Sequence, residues 1–206
     1  MRDAVLTMLT MQDRMNTRVH EDWRSQGYSW HRAIWVEAAE MVEHHGYKWW
    51  KHQKPDMAQV QLEIIDIWHF GMSLRIMQGE DLESLAQTLA TELAEPAQPT
   101  PAFLDAADSL AGIAAAQRDF CGRAFATLMD AAGLDFATLY RQYLGKNVLN
   151  FFRQDNGYKE GSYRKLWDGR EDNEHLMELL LGIDTDDADA ESTLYTALEA
   201  RYTATG

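Results

Sequence analysis

Apolar residues recur at spacings of three and four along nearly the whole chain, and that period leaves little room for anything but α-helix. No run alternates Val, Ile and Thr with polar residues, and the turn pairs of hairpins are missing. Val5 and Leu9 share one face of a first helix with Gln12 and Asn16. Ser29 is placed to N-cap a second helix over 30–44, which Gly46 stops. A third helix over 57–77 carries Val60, Ile67, Phe70 and Leu74 on one stripe, with Gly79 beyond it. Two or three helices fit between 81 and 132, one opened by Asp81 and another starting near 100–105. A further helix covers 135–152, and a last group lies within 173–202. Pro96, Pro99 and Pro101 cluster in AEPAQPTPA, which reads as an exposed break. No repeat of fixed period is present. The expected class is all-α.

Charge and composition narrow the function. Nineteen Lys and Arg against 33 Asp and Glu leave a net charge of −14, which argues against gripping a nucleic-acid backbone. The longest apolar run, 110–116, is too short to span a bilayer. A single cysteine, Cys121, excludes an internal disulfide framework and fits a reducing compartment. Polar residues interrupt the apolar stretch of MRDAVLTMLTMQDRMN too early for a clear cleavable signal. The expectation is an acidic, cytoplasmic protein that binds neither membrane nor nucleic acid.

Two acidic doublets carry the most information. Glu37 and Glu40 stand three apart in WVEAAEMVEHH, and Glu63 and Asp66 stand three apart in QLEIIDIWHF. Residues at i and i+3 are neighbours on a helix, so each doublet aims two carboxylates at nearly one point. A solvated acidic face is the plain alternative. Against it, Glu63 sits inside the apolar stripe, and Glu37 shares a face with Ile34 and Met41. A carboxylate on a core-facing stripe is costly unless something pairs with it. No Lys or Arg lies one turn away on that helix; Lys54 is the nearest upstream cation. Facing doublets would need protons or bound cations. Oxygen-only ligands suit Mg²⁺, with Mn²⁺ able to substitute, and do not suit zinc. A di-iron bundle wants Glu-x-x-His on two helices, which neither doublet supplies, although His69 follows Asp66 by three.

The segment KNVLNFFRQDNGYKEGSYRKLWDGREDN gathers Lys146, Arg153, Lys159, Arg164, Lys165 and Arg170. Lys146, Asn150 and Arg153 fall on one side of a helix, and Gly157, Gly161 and Gly169 allow tight turns beyond it. In an acidic protein such a patch suits a polyphosphate; pairing with neighbours such as Asp155 and Glu160 is the alternative. Gln12 and Asn16 continue an apolar stripe inward, where amides read the edge of a base or satisfy buried backbone. Trp49, His69 and Phe70 are candidates for stacking on a planar ligand, or simply core.

Together these motifs resemble a family, the dimeric dUTPases of the all-α nucleoside triphosphate pyrophosphohydrolases. EAAEMVEHHGYKWWK, the ExxD of QLEIIDIWHFGMS and the long cationic segment carry the resemblance across most of the chain. It implies one all-α domain over 1–206, with two lobes closing over the nucleotide and a mobile lobe around 81–135. It implies hydrolysis of dUTP to dUMP and pyrophosphate, with dUDP also accepted, by water attacking the β-phosphate. Two or more Mg²⁺ ions would lie on Glu37, Glu40, Glu63 and Asp66, with Glu37 or Glu40 as the catalytic base and Glu37 preferred. Phosphate contacts fall to Lys146, Arg153, Tyr158 and Lys165. Base and sugar contacts fall to Gln12, Asn16, Trp49, His69, Phe70 and Asn150. The family also implies a homodimer whose partner completes the site. Discrimination against dTTP would need a wall at uracil C5, since one methyl is worth only about 1–3 kcal/mol. The alternatives are an enzyme that also takes dCTP and a non-catalytic nucleotide sensor on the same fold. The sensor would have lost a metal carboxylate, and none is lost. The acidic run 183–191 lacks the glycine and the closing glutamate of a calcium loop and reads as a solvated turn.

Overall fold

A helix buried on nearly every side belongs in the middle of a bundle, and Met57–Met77 is that helix here. In the computed structural model, which describes residues 1–185, 187 and 189–205, this helix is α3. It follows α1 (Arg2–Val19), a 3-10 turn (Trp23–Ser25) and α2 (Trp30–His45). After it come α4 (Leu82–Leu93), α5 (Phe103–Gln117), α6 (Gly122–Ala131), α7 (Phe136–Asp155), α8 (Asp172–Leu180) and α9 (Ala190–Ala204). The all-α class holds. Of the acidic run 183–191, Asp186 and Ala188 lie outside the described residues.

α2, α1 and α7 pack on α3, and α8 and α9 cover the far side of α7. α6 packs on both α4 and α5, α4 on α1 and α5 on α2, and their Leu85, Leu89, Leu110 and Phe125 enter the same buried cluster as α3. Trp68 of α3 stacks on Phe125, ring centres 5.0 Å apart. Gly71 of α3 admits Phe120 so closely that a Cβ would lie 2.6 Å from its ring. Among the described residues no helix is long and apolar enough to cross a membrane.

Local chemistry places most helix ends. The carboxylates of Asp56, Asp81 and Asp135 accept backbone N–H groups at the starts of α3, α4 and α7. Ser29 stands at the N-cap of α2, but its hydroxyl makes no cap bond. The proline-rich stretch joins α4 to α5 as exposed chain. α7 runs three residues beyond the expected end. The expected absence of hairpin turns is corrected by a small one. Strands β1 (Leu166–Trp167) and β2 (Arg170–Glu171) pair antiparallel around Asp168-Gly169, both at positive φ. That is the Asp-Gly signal of a primed turn, hidden because the flanking strands are only two residues long.

Candidate active site

The spacing of three on α3 turns Glu63 and Asp66 to one side, and α2 lays Glu37 opposite them. One carboxylate oxygen from each of the three lies within 4.8 Å of the others. Glu63 is buried, while Glu37 and Asp66 are half-buried. Glu40 is exposed and stays outside this close set, although its charge reaches both Glu37 and Glu63. Burial first, then the charge of Asp66 and a hydrogen bond with Glu63, push Glu37 up to about 8. Glu63 is raised too, again chiefly by burial and then by Asp66.

The absence of a cation near this doublet is true of α3 alone. α7 delivers one: Lys146 Nζ lies 2.9 Å from Asp66 Oδ2 and donates to Asn173 Oδ1 at 3.3 Å. His44 Nε2 stands 3.5 Å from Glu63 Oε1. One buried ammonium cannot balance three carboxylates, so the donor set suits a hard divalent cation. Lys146, expected on the phosphates, is held instead against the carboxylates.

Asp66 also borders a cavity of about 280 Å³. α1 supplies Gln12, Met15, Asn16 and Val19; α3 supplies His69 and Phe70; α7 and the turn after it supply Asn150, Arg153, Gln154 and Tyr158. Trp23, Tyr28 and Trp30 close the remaining wall. Trp30 and Phe70 lie 6.1 Å apart between ring centres. His69 Nδ1 meets Gln12 Oε1 at 2.7 Å, and burial holds its pKa down to about 3, so the ring is neutral. His69 Nε2 and Trp30 Nε1 are buried without a hydrogen-bond partner. Unpaired polar groups of that kind call for an occupant with complementary atoms.

The cations of the long segment are mostly committed within the protein. Arg153 forks onto Asp172 with two bonds of 2.8 Å, and Tyr163 adds a third to the same carboxylate at 2.8 Å. Burial alone would raise Asp172, but the Arg153 bonds and charge outweigh it and hold the carboxyl below its usual range. Arg153 still borders the cavity, 3.2 Å from Asn150 Oδ1 and 5.8 Å from the Tyr158 ring centre. Lys165 is exposed, 3.3 Å from Glu171, and does not reach the cavity wall. Trp49, expected over the base, is 90% exposed and packs edge-on against Trp50. Its place in the wall is taken by Trp30, with Trp23 and Tyr28. The signal for Tyr28 and Trp30 was the aromatic pair in YSW at the head of α2, ahead of the acidic doublet.

A helical bundle that turns carboxylates of two neighbouring helices onto the rim of a ring-walled cavity fits a class, the all-α hydrolases of nucleotides. The sequence model of the dUTPase family matches residues 4–158, and the chain belongs to that family. It is a dUTP diphosphatase, hydrolysing dUTP to dUMP and pyrophosphate. The match ends at Tyr158, so Lys165 and Asp172 lie beyond it. No curated protein matches the chain.

Proposed function

We propose that this dUTP diphosphatase works with Mg²⁺ held by Glu37, Glu63 and Asp66, with Glu40 at the edge of the set. Support comes from the convergence of three carboxylates from α2 and α3 at the rim of a cavity that shares Asp66. A divalent cation bound there supplies positive charge that offsets the carboxylates and the charge developing on the phosphates. Glu37 of α2 faces Glu63 and Asp66 from the opposite helix, which places it to orient the attacking water and, once cations offset the crowded charge, to accept its proton. Lys146 steers Asp66 and stands ready for the triphosphate once cations neutralise the carboxylates. Arg153 and Tyr158 face the phosphate end, while Gln12, Asn16, His69, Phe70 and Asn150 enclose the base and sugar. Trp49 and Lys165 stay out of this arrangement within one chain. A homodimer, closure of the 81–135 lobe, a cytoplasmic location and acceptance of dUDP complete the proposal.

The test is pyrophosphate release from dUTP, dCTP, dTTP and UTP, with Mg²⁺ and with chelator. Turnover of dUTP that chelator abolishes and Mg²⁺ restores is expected. Turnover that persists in chelator would sink the metal assignment.

A further inference from the structure

The buried amides of the cavity wall belong to one hydrogen-bonded chain with acceptors at both ends. It begins at Met8 O, which Tyr143 Oη meets at 2.9 Å; Tyr143 Oη also meets Gln12 Oε1 at 3.1 Å. Gln12 Nε2 donates to Asn16 Oδ1 at 3.0 Å, and Asn16 Nδ2 donates to Ser73 Oγ at 2.9 Å. Ser73 Oγ donates to His69 O at 2.9 Å, which ends the chain on a second carbonyl. Asn147 Nδ2 feeds Tyr143 Oη at 3.2 Å, and His69 Nδ1 joins the chain at Gln12.

A chain with an acceptor at each end cannot be satisfied at both. Running towards His69 O, it leaves the Tyr143 proton shared between Met8 O and Gln12 Oε1. Turning both amides over makes it run towards Met8 O, and the Ser73 proton is then shared between Asn16 and His69 O. An amide occupies nearly the same space either way round. Each polarity makes six hydrogen bonds among these groups, counting those of His69 and Asn147. The polarity also sets the histidine. With Gln12 Oε1 facing it, His69 carries its proton on Nδ1 and leaves Nε2 as a bare acceptor. With Gln12 Nε2 facing it, the proton moves to Nε2, which becomes a donor. Nε2 is the buried atom of this wall residue that no group of the protein meets. The ring stays neutral throughout, so its tautomer is the variable.

We propose that this chain is a two-polarity relay that sets whether His69 accepts from the N3–H of uracil or donates to the bare N3 of cytosine, with Tyr143 and Ser73 as positioning residues that bias it in opposite directions. The proposal rests on the placement of the base in this cavity. Removing the Ser73 hydroxyl leaves one more bond in the polarity towards Met8 O, and so favours the Nε2–H donor. Removing the Tyr143 hydroxyl leaves one more bond in the polarity towards His69 O, and so favours the Nδ1–H acceptor. A merely structural role would move both variants the same way.

The experiment combines specificity constants with ¹⁵N NMR of the histidines in the full-length protein, His69 being identified by the signal lost in His69→Gln. One hydrogen bond is worth about fivefold. The ratio of kcat/KM for dUTP over dCTP is therefore expected to fall about fivefold in Ser73→Ala and to rise about fivefold in Tyr143→Phe. The His69 signals should move towards Nε2–H in the first and towards Nδ1–H in the second. In the wild-type protein dUMP should draw His69 to Nδ1–H and dCMP to Nε2–H, a measurement that needs neither variant to fold. Ratios that move together, stay put or reverse these signs overturn the proposal. Nucleotides that leave His69 unmoved, while the variants still shift it, remove the base from the cavity. Variants that leave the tautomer unmoved remove the relay.

Discussion

Two clusters of buried charge meet α7 about two turns apart, at Lys146 and at Arg153, and they are built on opposite principles. Around Asp172 every demand is met: a forked arginine, a tyrosine hydroxyl, and a carboxyl held below its usual range. Around Glu63 three carboxylates crowd one lysine, and two of them are raised. A paired cluster adds specificity to a fold, whereas an unbalanced one costs stability and is kept where a cation is to be bound.

The strongest way to break the comparison is Glu63→Gln. It should lower dUTP turnover by about a thousandfold or more, while the thermal midpoint in chelator stays level or rises because one repelling charge is gone. Activity near wild type with Mg²⁺ would place the metal elsewhere. Asp172→Ala should do the reverse kind of damage. It strands a buried guanidinium, and urea unfolding should show a loss of about 3–5 kcal/mol; a smaller loss would show Arg153 relaxing to water.

The pH dependence of stability sharpens the contrast, because the two clusters slope in opposite directions. Glu37 is raised to about 8 from the ordinary 4.5, so in chelator its contribution is full below about pH 4.5 and is lost as pH rises towards 8. Asp172 is lowered, so its contribution is full above its ordinary 3.8 and is lost as pH falls through its folded value. His69, lowered to about 3, adds to the acid limb below about pH 6.5. Thermal melts in chelator should show both limbs; Glu37→Gln should flatten the neutral one and spare the acid one. Mg²⁺ should flatten the neutral limb in the wild-type protein, and failure to do so would count against these ligands. The smallest effect is expected at Glu178, a fully exposed carboxylate bridging Arg170 and Arg201. Glu178→Gln should leave turnover and the melting midpoint within error, as solvent screens such pairs.

Much of this was legible along the chain because helical geometry is local. The bounds of α3, the opening of α4 at Asp81, the start of α7 at Asp135, the inward Gln12 and Asn16 and the convergence of Glu63 with Asp66 all follow from spacing of a few residues. The cavity residues His69, Phe70, Asn150 and Arg153 lie on the helix faces that spacing indicated, while Tyr158 came only with the family resemblance. Glu40 shows the limit: the period of three puts it beside Glu37, but α2 leaves it in solvent. The cationic segment looked like an open patch because Asp172, which takes up Arg153, stands 19 residues further along the chain.

What the sequence alone determined is therefore the all-α class, the helix faces and the two doublets, since each depends on neighbours within one or two turns. What only the tertiary structure decided is which faces meet. Lys146 reaches Asp66 across 80 positions of chain, Trp30 and not Trp49 walls the cavity, and Tyr143 and Ser73 meet the amides of Gln12 and Asn16 from two other helices. Those pairings follow from how the bundle minimises buried, unpartnered polar atoms once its apolar stripes are joined, and no local period encodes that choice.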